Sequence, residues 1–159
     1  LFVGLRGDGL TSLKANIASY RQAWRANRHP GLGSVYLRVP VYAAQTHKAA
    51  LDEPRENIVH YFKRQARLMA SQSGKRGPGE EAKLQSIIAG LDALAYEDIL
   101  ETRVAFGCAS AITERLMLWR DEVGIDGVVM EINAGGQLSE EQVRNSVRLV
   151  THDVMPALR

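Results

Sequence analysis

The chain has little of what marks a specialised environment. It has a single cysteine, Cys108, which excludes an internal disulfide and any zinc site built on cysteines. That usage fits a reducing compartment, and a cytoplasmic location is expected. No apolar run approaches the length of a membrane span. The N-terminus lacks the layout of a secretory signal. Neither sign of charge dominates: 20 basic and 18 acidic residues leave a formal +2. The basic residues are spread out rather than striped, and no aromatic-rich basic segment offers a stacking platform. Neither nucleic acid nor membrane is therefore an expected partner. The glycine-rich dinucleotide fingerprint GxGxxG is missing. Ser110 lacks the Gly-x-Ser-x-Gly context of a hydrolase nucleophile. None of the four histidines (His29, His47, His60, His152) pairs with a carboxylate at metal-ligand spacing, so no metal site is expected.

What remains is an ordinary globular composition: 159 residues, 45% hydrophobic and 24% charged. One domain is the default at this length, with enough chain to bury a core. The first residue is Leu1, and the chain opens directly on the apolar "LFVGL". This reads as part of a longer protein; a trimmed methionine or tag is the alternative.

"LFVGL" reads as a short buried strand before a Gly-rich turn. Thr11 or Ser12 suits the cap of the helix that follows. Leu13, Ile17, Tyr20 and Trp24 recur at helical spacing, and "HPGLG" stops that helix. "SVYLRVPVYA" (34–43) is a second strand, in which Pro40 removes a backbone donor and predicts interrupted pairing or a bulge. A helical pattern runs over 46–71, with Pro54 breaking it or opening a new helix. "SQSGKRGPGEE" is a mobile loop or linker. With a weaker helix over 80–94, it makes a flexible insertion around 71–100. "RVAFG" is a short third strand, and "SAITERLMLWRDEVG" is a helix capped by Gly124. "GVVMEIN" is the fourth strand. Ser139 and Gln142 have capping-box spacing, and Glu140 and Glu141 suit the positive end of the helix dipole. Val143, Val147, Val150 and Val154 form the expected buried face of this last helix, which Pro156 should kink or end.

Strand–helix alternation predicts an α/β fold of parallel strands joined by crossover helices. About four such units are half of an eightfold barrel, and a whole barrel needs about 250 residues. In a barrel the carboxyl ends of the strands face the active site. Glu131 and Asn133 fall at the end of the fourth strand, before Gly135, Gly136 and a helix start. Free backbone N–H groups there would suit a phosphate, but Glu140 and Glu141 already complement the dipole and repel one. The better reading is a pocket wall, with Glu131 or Asn133 bonding a ligand edge; an ordinary tight turn is the bland alternative. Cys108 at a helix start would have a stabilised thiolate, yet no histidine base is near in sequence. A small buried residue is the simpler reading. His60 and Tyr61 lie on a helix that could overhang a pocket, although core packing is the commoner role for Tyr61 and Phe62. Lys75 and Arg76 either close over an anionic ligand or, the preferred reading, sit in a solvated loop. No catalytic residue is assigned.

Four stretches, taken in order, resemble the C-terminal half of bacterial luciferase-like, flavin-dependent monooxygenases. They are "LKANIASYRQAWRANRHPG", "YLRVPVYAAQTHKAA", "VAFGCASAITERLMLWRDEVGIDGVVMEIN" and "VRNSVRLVTHDVMPALR". The likeness covers nearly the whole chain except about 71–100. It implies the C-terminal portion of a (β/α)8 TIM barrel, binding reduced FMN at the carboxyl ends of its strands. With O2, such an enzyme oxidises a small organic substrate and draws reduced flavin from a flavin reductase. Some relatives use a deazaflavin and transfer hydride instead. The likeness implies that Leu5 and Tyr61 line the flavin ring, that Glu131 and Asn133 lie at the last strand's mouth, and that Gly74–Gly79 is a mobile lid. The family has Thr-Pro or Ser-Pro where Cys108 and Ala109 follow Gly107, so that helix start differs. Its main phosphate contacts come from the half preceding Leu1. A non-catalytic barrel-half partner subunit is the rival reading. In either case a homodimer or association with the missing barrel half is expected.

Overall fold

A computed structural model describes residues 1–5, 9–74 and 77–159. Strands and helices alternate as β1 (Phe2–Gly4), α1 (Leu10–Ala26), β2 (Tyr36–Ala43), α2 (His47–Asp52), α3 (Arg55–Ala70), α4 (Pro78–Asp92), α5 (Tyr96–Thr102), β3 (Ala105–Gly107), α6 (Ala109–Val123), β4 (Gly127–Glu131) and α7 (Glu140–Leu149). Every strand pairing is parallel. This is the expected α/β alternation of four strand–helix units.

β2 is the hub of the sheet. β1 pairs with Tyr36–Arg38, β4 with Tyr36–Pro40, and β3 only with Val41–Ala43. Since β3 is three residues long and sits high on β2, it does not separate β2 from β4. Pro40, which has no N–H to give, lies where the ladder with β4 ends and the ladder with β3 begins.

Alternation along β2 divides the fold into two cores. Leu37, Val39, Val41 and Ala43 join Leu13 and Ile17 of α1 and Ile112, Leu116 and Trp119 of α6. On the other face, Tyr42 and Phe106 pack with Ile58 and Phe62 of α3 and Tyr96 and Ile99 of α5. The helices α2–α5 thus cover the carboxyl half of this second face. Its other half stays open: Phe2 is 71% exposed, Tyr36 39% and Val129 38%.

Several helix ends follow the local chemistry. Pro54 opens α3. Gly124 ends α6 in the left-handed conformation, with φ 76°. The Ser139–Gln142 capping box is formed. α1 differs from expectation: it begins at Leu10 behind Gly9, whose φ is 67°. Ser12 lies inside the helix and donates its hydroxyl to the Gly9 carbonyl at 3.3 Å. The glycine's backbone freedom makes the turn, so no hydroxyl cap is needed.

The buried face of the last helix differs in part. Val150 and Val154 are buried as expected, but Val147 is 41% exposed, and the inward positions before them are Ser146 and Leu149. Ser146 is fully buried because its Oγ accepts the Ala43 N–H at 2.9 Å. The end of β2 needs an acceptor there, and a valine would leave it bare. A π-helical turn, Val150–Val154, follows, and then a 3-10 turn, Met155–Leu158. The wider turn carries the chain to Pro156, whose missing N–H ends the α-helical ladder.

The segment expected as a flexible insertion contains α4 and the previously unassigned α5. The Gly74 N–H donates to Glu81 Oε2 at 3.0 Å, and Gln85 bonds both Glu81 and Ser73. Lys75 and Arg76 lie outside the described residues, as do Arg6–Asp8.

Ser146→Ala should lower stability by about 1–3 kcal/mol, the cost of a buried unsatisfied N–H. Val147→Ser should stay within about 0.5 kcal/mol. Urea denaturation of both variants measures the difference.

Candidate active site

The open half of the second sheet face forms the floor of a cavity of about 770 Å³. Gly4, Arg38, Pro40 and Glu131 lie on this floor. They are neighbours by register, with Gly4 opposite Arg38 and Pro40 opposite Glu131. α3 crosses above and presents Tyr61, Phe62, Gln65 and Met69 at helical spacing. α4 adds Ile87 and Leu91. Leu5 lies at the end of the first strand, where Arg103 Nη1 donates to its carbonyl at 2.9 Å.

Arg38 and Glu131 form an ion pair across β2 and β4, with Nη2–Oε1 at 2.5 Å. The Glu131 side chain is 19% exposed and the Arg38 side chain 57%. The hydrogen bond to Glu131, followed by that carboxylate's charge, raises the Arg38 pKa above its ordinary value; Tyr61 contributes a smaller rise. The guanidinium therefore stays charged and faces the cavity beside the Tyr61 phenol. Sequence reasoning missed Arg38. Its signal was an arginine sharing the parity of Tyr36, Pro40 and Tyr42 in an otherwise apolar strand.

The cavity brings Leu5, Tyr61 and Glu131 together. Asn133 is not among its lining residues and works within its own loop. Its side-chain Oδ1 accepts the Leu138 N–H at 3.2 Å, and its carbonyl accepts the Gly136 N–H at 3.1 Å. Nearby, the Gln137 N–H donates to Asn57 Oδ1 at 2.8 Å and the Ser139 N–H to Gln142 Oε1 at 2.9 Å. The donors that would cradle a phosphate are consumed inside the protein. The glycine pair serves this packing. A Cβ on Gly135 would meet the Asn57 carbonyl oxygen at 2.0 Å, and Gly136 has φ +74°. This loop after β4 is a tight turn and not an anion cradle.

Cys108 lies at the N-cap of α6, outside the cavity lining. Its thiol is 3.3 Å from the Ser110 hydroxyl, and that hydrogen bond lowers its pKa from the ordinary thiol value. His60 does not line the cavity either. Among the described residues, no group of three His, Cys, Asp or Glu is placed to hold a metal ion.

No family model and no curated protein matches the chain. Solved structures do. One is the oxygenating constituent of 3,6-diketocamphane monooxygenase, a type II Baeyer–Villiger enzyme from the CAM plasmid of Pseudomonas putida, in complex with FMN. It matches with a TM-score of 0.67 and 19% identity over 96% of this chain and 42% of that one. EDTA monooxygenase from Chelativorans sp. BNC1 matches at 0.63 and 17%, over 99% of this chain and 38% of that one. A long-chain alkane monooxygenase matches at 0.59 and 18%, over 99% and 35%. The fold neighbours are luciferase-like flavin-dependent monooxygenases. At these identities the likeness is one of fold, and it bears out the resemblance read from the sequence at that level. The chain spans about two-fifths of the length of these structures.

Gly135→Ala should destabilise the protein by at least about 1–3 kcal/mol, because the clash is with backbone. Gly136→Ala meets no atom and should cost only about 1–2 kcal/mol of left-handed strain. Thermal and urea unfolding of the two variants gives the comparison.

Proposed function

We propose that the chain is the C-terminal portion of a (β/α)8 barrel working as a flavin-dependent monooxygenase, using reduced FMN and O2 on a small organic substrate. The observation that carries this reading is the cavity over parallel strands joining Leu5, Tyr61 and Glu131, in a fold shared with an FMN-bound enzyme. Its lining suits a flavin ring. Leu5 and Phe62 offer apolar contact, Tyr61 an aromatic face, and Gln65 a polar atom at the edge. The lining does not supply a phosphate cradle from the loop after β4, whose donors are taken. The phosphate end is therefore assigned to protein beyond these strands.

Reduced flavin supplies the oxygen-activating chemistry when bound. The chain's own part is to shape, charge and dry the site. α3 and α4 roof part of the floor, and their hairpin is the candidate lid. The Arg38 guanidinium sets a fixed positive charge beside the ring position, held by Glu131. Asn133 acts indirectly, by holding the loop beyond Glu131.

β1 and β4 each pair with β2 alone among the described residues. That leaves edges for further strands, and the exposed Phe2 and Val129 leave apolar surface to cover. The same observation favours the second reading, a barrel half that works only by association with another chain or with a second copy.

FMN titration followed by flavin fluorescence, with and without reductant, on this chain and on a longer protein that carries the preceding barrel half, tests the flavin reading. Binding is expected of the longer protein, and Tyr61→Ala there should weaken it roughly 2- to 10-fold, as about 0.5–1.5 kcal/mol of aromatic contact implies. Deazaflavin binding without FMN binding would replace the monooxygenase reading with hydride transfer. Binding of neither would leave the association reading.

A further inference from the structure

We infer that Arg38 makes the cavity selective for the reduced, anionic form of the flavin ring over the oxidised, neutral form. This deepens the proposed function and rests on its placing of the ring in the cavity. Two electrons and one proton convert the neutral oxidised ring into a singly charged anion, the form that prevails above neutral pH. The two forms are nearly alike in size, so charge is the property by which a site can best tell them apart.

The charges around the cavity favour the anion. Among its described lining residues only Arg38, Arg103 and Glu131 are charged, two cations against one carboxylate. Arg103 is tied to the Leu5 carbonyl at 2.9 Å and keeps its charge in the lining. Glu131 accepts from Arg38 Nη2 at 2.5 Å, and its side chain is 19% exposed against 57% for Arg38. The space therefore meets the guanidinium more than the carboxylate. A guanidinium carries several N–H donors in a fixed fork. Among the described residues Arg38 uses only Nη2, so an anionic ring can accept from the other donors while Glu131 keeps its place. Hydrogen bonds to an ionised acceptor are shorter and stronger than those to a neutral one. The apolar contacts offered by Leu5 and Phe62 serve both forms alike. Only a group with unequal affinity for two states shifts the balance between them. Arg38 is that group, and charge beside the ring is a lever by which a protein tunes its cofactor. It is a specificity-determining residue for the redox state of the flavin.

The test titrates oxidised FMN, and FMN kept reduced by dithionite without oxygen, into the longer protein that carries the preceding barrel half. The phosphate tail is the same in both and cancels in the ratio of affinities. Reduced FMN should bind at least about tenfold more tightly, which places the two-electron potential of the bound flavin at least about 30 mV above that of free FMN. Arg38→Gln should cut this preference at least about fivefold, through loss of the charge-assisted hydrogen bond. Arg38→Lys keeps the charge and should retain most of the preference. Glu131→Gln removes the opposing carboxylate and should increase it, a gain that loss of a merely structural contact would not produce. Circular dichroism checks the fold of each variant. Arg38 is exposed, so its two variants carry the test even where Glu131→Gln fails to fold. Equal affinity for the two forms, or a folded Arg38→Gln protein with an unchanged ratio, would overturn the inference and leave the flavin reading standing. Failure of FMN to bind in either form would sink the flavin reading and the inference with it.

Discussion

The structure depends on β2 being hydrogen-bonded along both edges. Tyr36–Arg38 pairs with β1 on one side and β4 on the other. With both edges and one whole face committed, the strand has a single register that satisfies its backbone and buries Leu37, Val39, Val41 and Ala43 together. A slip of one residue would turn those four toward the cavity and Arg38 into the core. The buried arginine would then cost far more than any contact returns. The continuous apolar character of the strand's outward positions is what a sheet face under three helices requires.

Direct pairing of β2 with β4 also creates the ion pair. Arg38 stands opposite Val129 and Glu131 opposite Pro40, so the two charges are diagonal neighbours on one face. A third strand between β2 and β4 would hold them apart. The shortness of β3, which pairs only above Pro40, is therefore what allows the charge arrangement of the cavity floor. A proline at that point helps: it lacks the donor that a continuing ladder would use, and the change of partner occurs where no N–H is lost.

Much of this was legible in the sequence because it is local. Helical spacing at Leu13 and Ile17, the Gly124 stop and the Ser139 box depend on residues within one or two turns of each other, and each formed. Other features are set by distant partners and left no local mark. Ser146 is buried because an N–H 103 residues away needs an acceptor. The expected valine face of this helix therefore holds at its end, where Val150 and Val154 are buried, but fails at Val147, whose place is taken by Ser146. Thr11 and Ser12 looked like caps, but the glycine before them already made the turn. Glu131 came from its place at a strand end and Leu5 and Tyr61 from resemblance, and the three lie around one space. Arg38 could have been found by parity alone, by asking why one member of an inward-facing set was charged.

The loop after β4 shows why a glycine pair before a helix is weak evidence for a ligand. Such a stretch has the composition of an anion cradle, and the difference lies in where its donors go. Here Gly136, Gln137, Leu138 and Ser139 each have an internal acceptor: Asn133 twice, Asn57 once and Gln142 once. Asn57 is itself 4% exposed and sits so close to Gly135 that no side chain fits between them. The contact fastens α3 to the end of β4. It thereby fixes the roof of the cavity, with Tyr61 one turn along α3, over the floor that holds Glu131. The glycines shape the site by joining its two walls. A phosphate would find no free donors among Gly136, Gln137, Leu138 and Ser139.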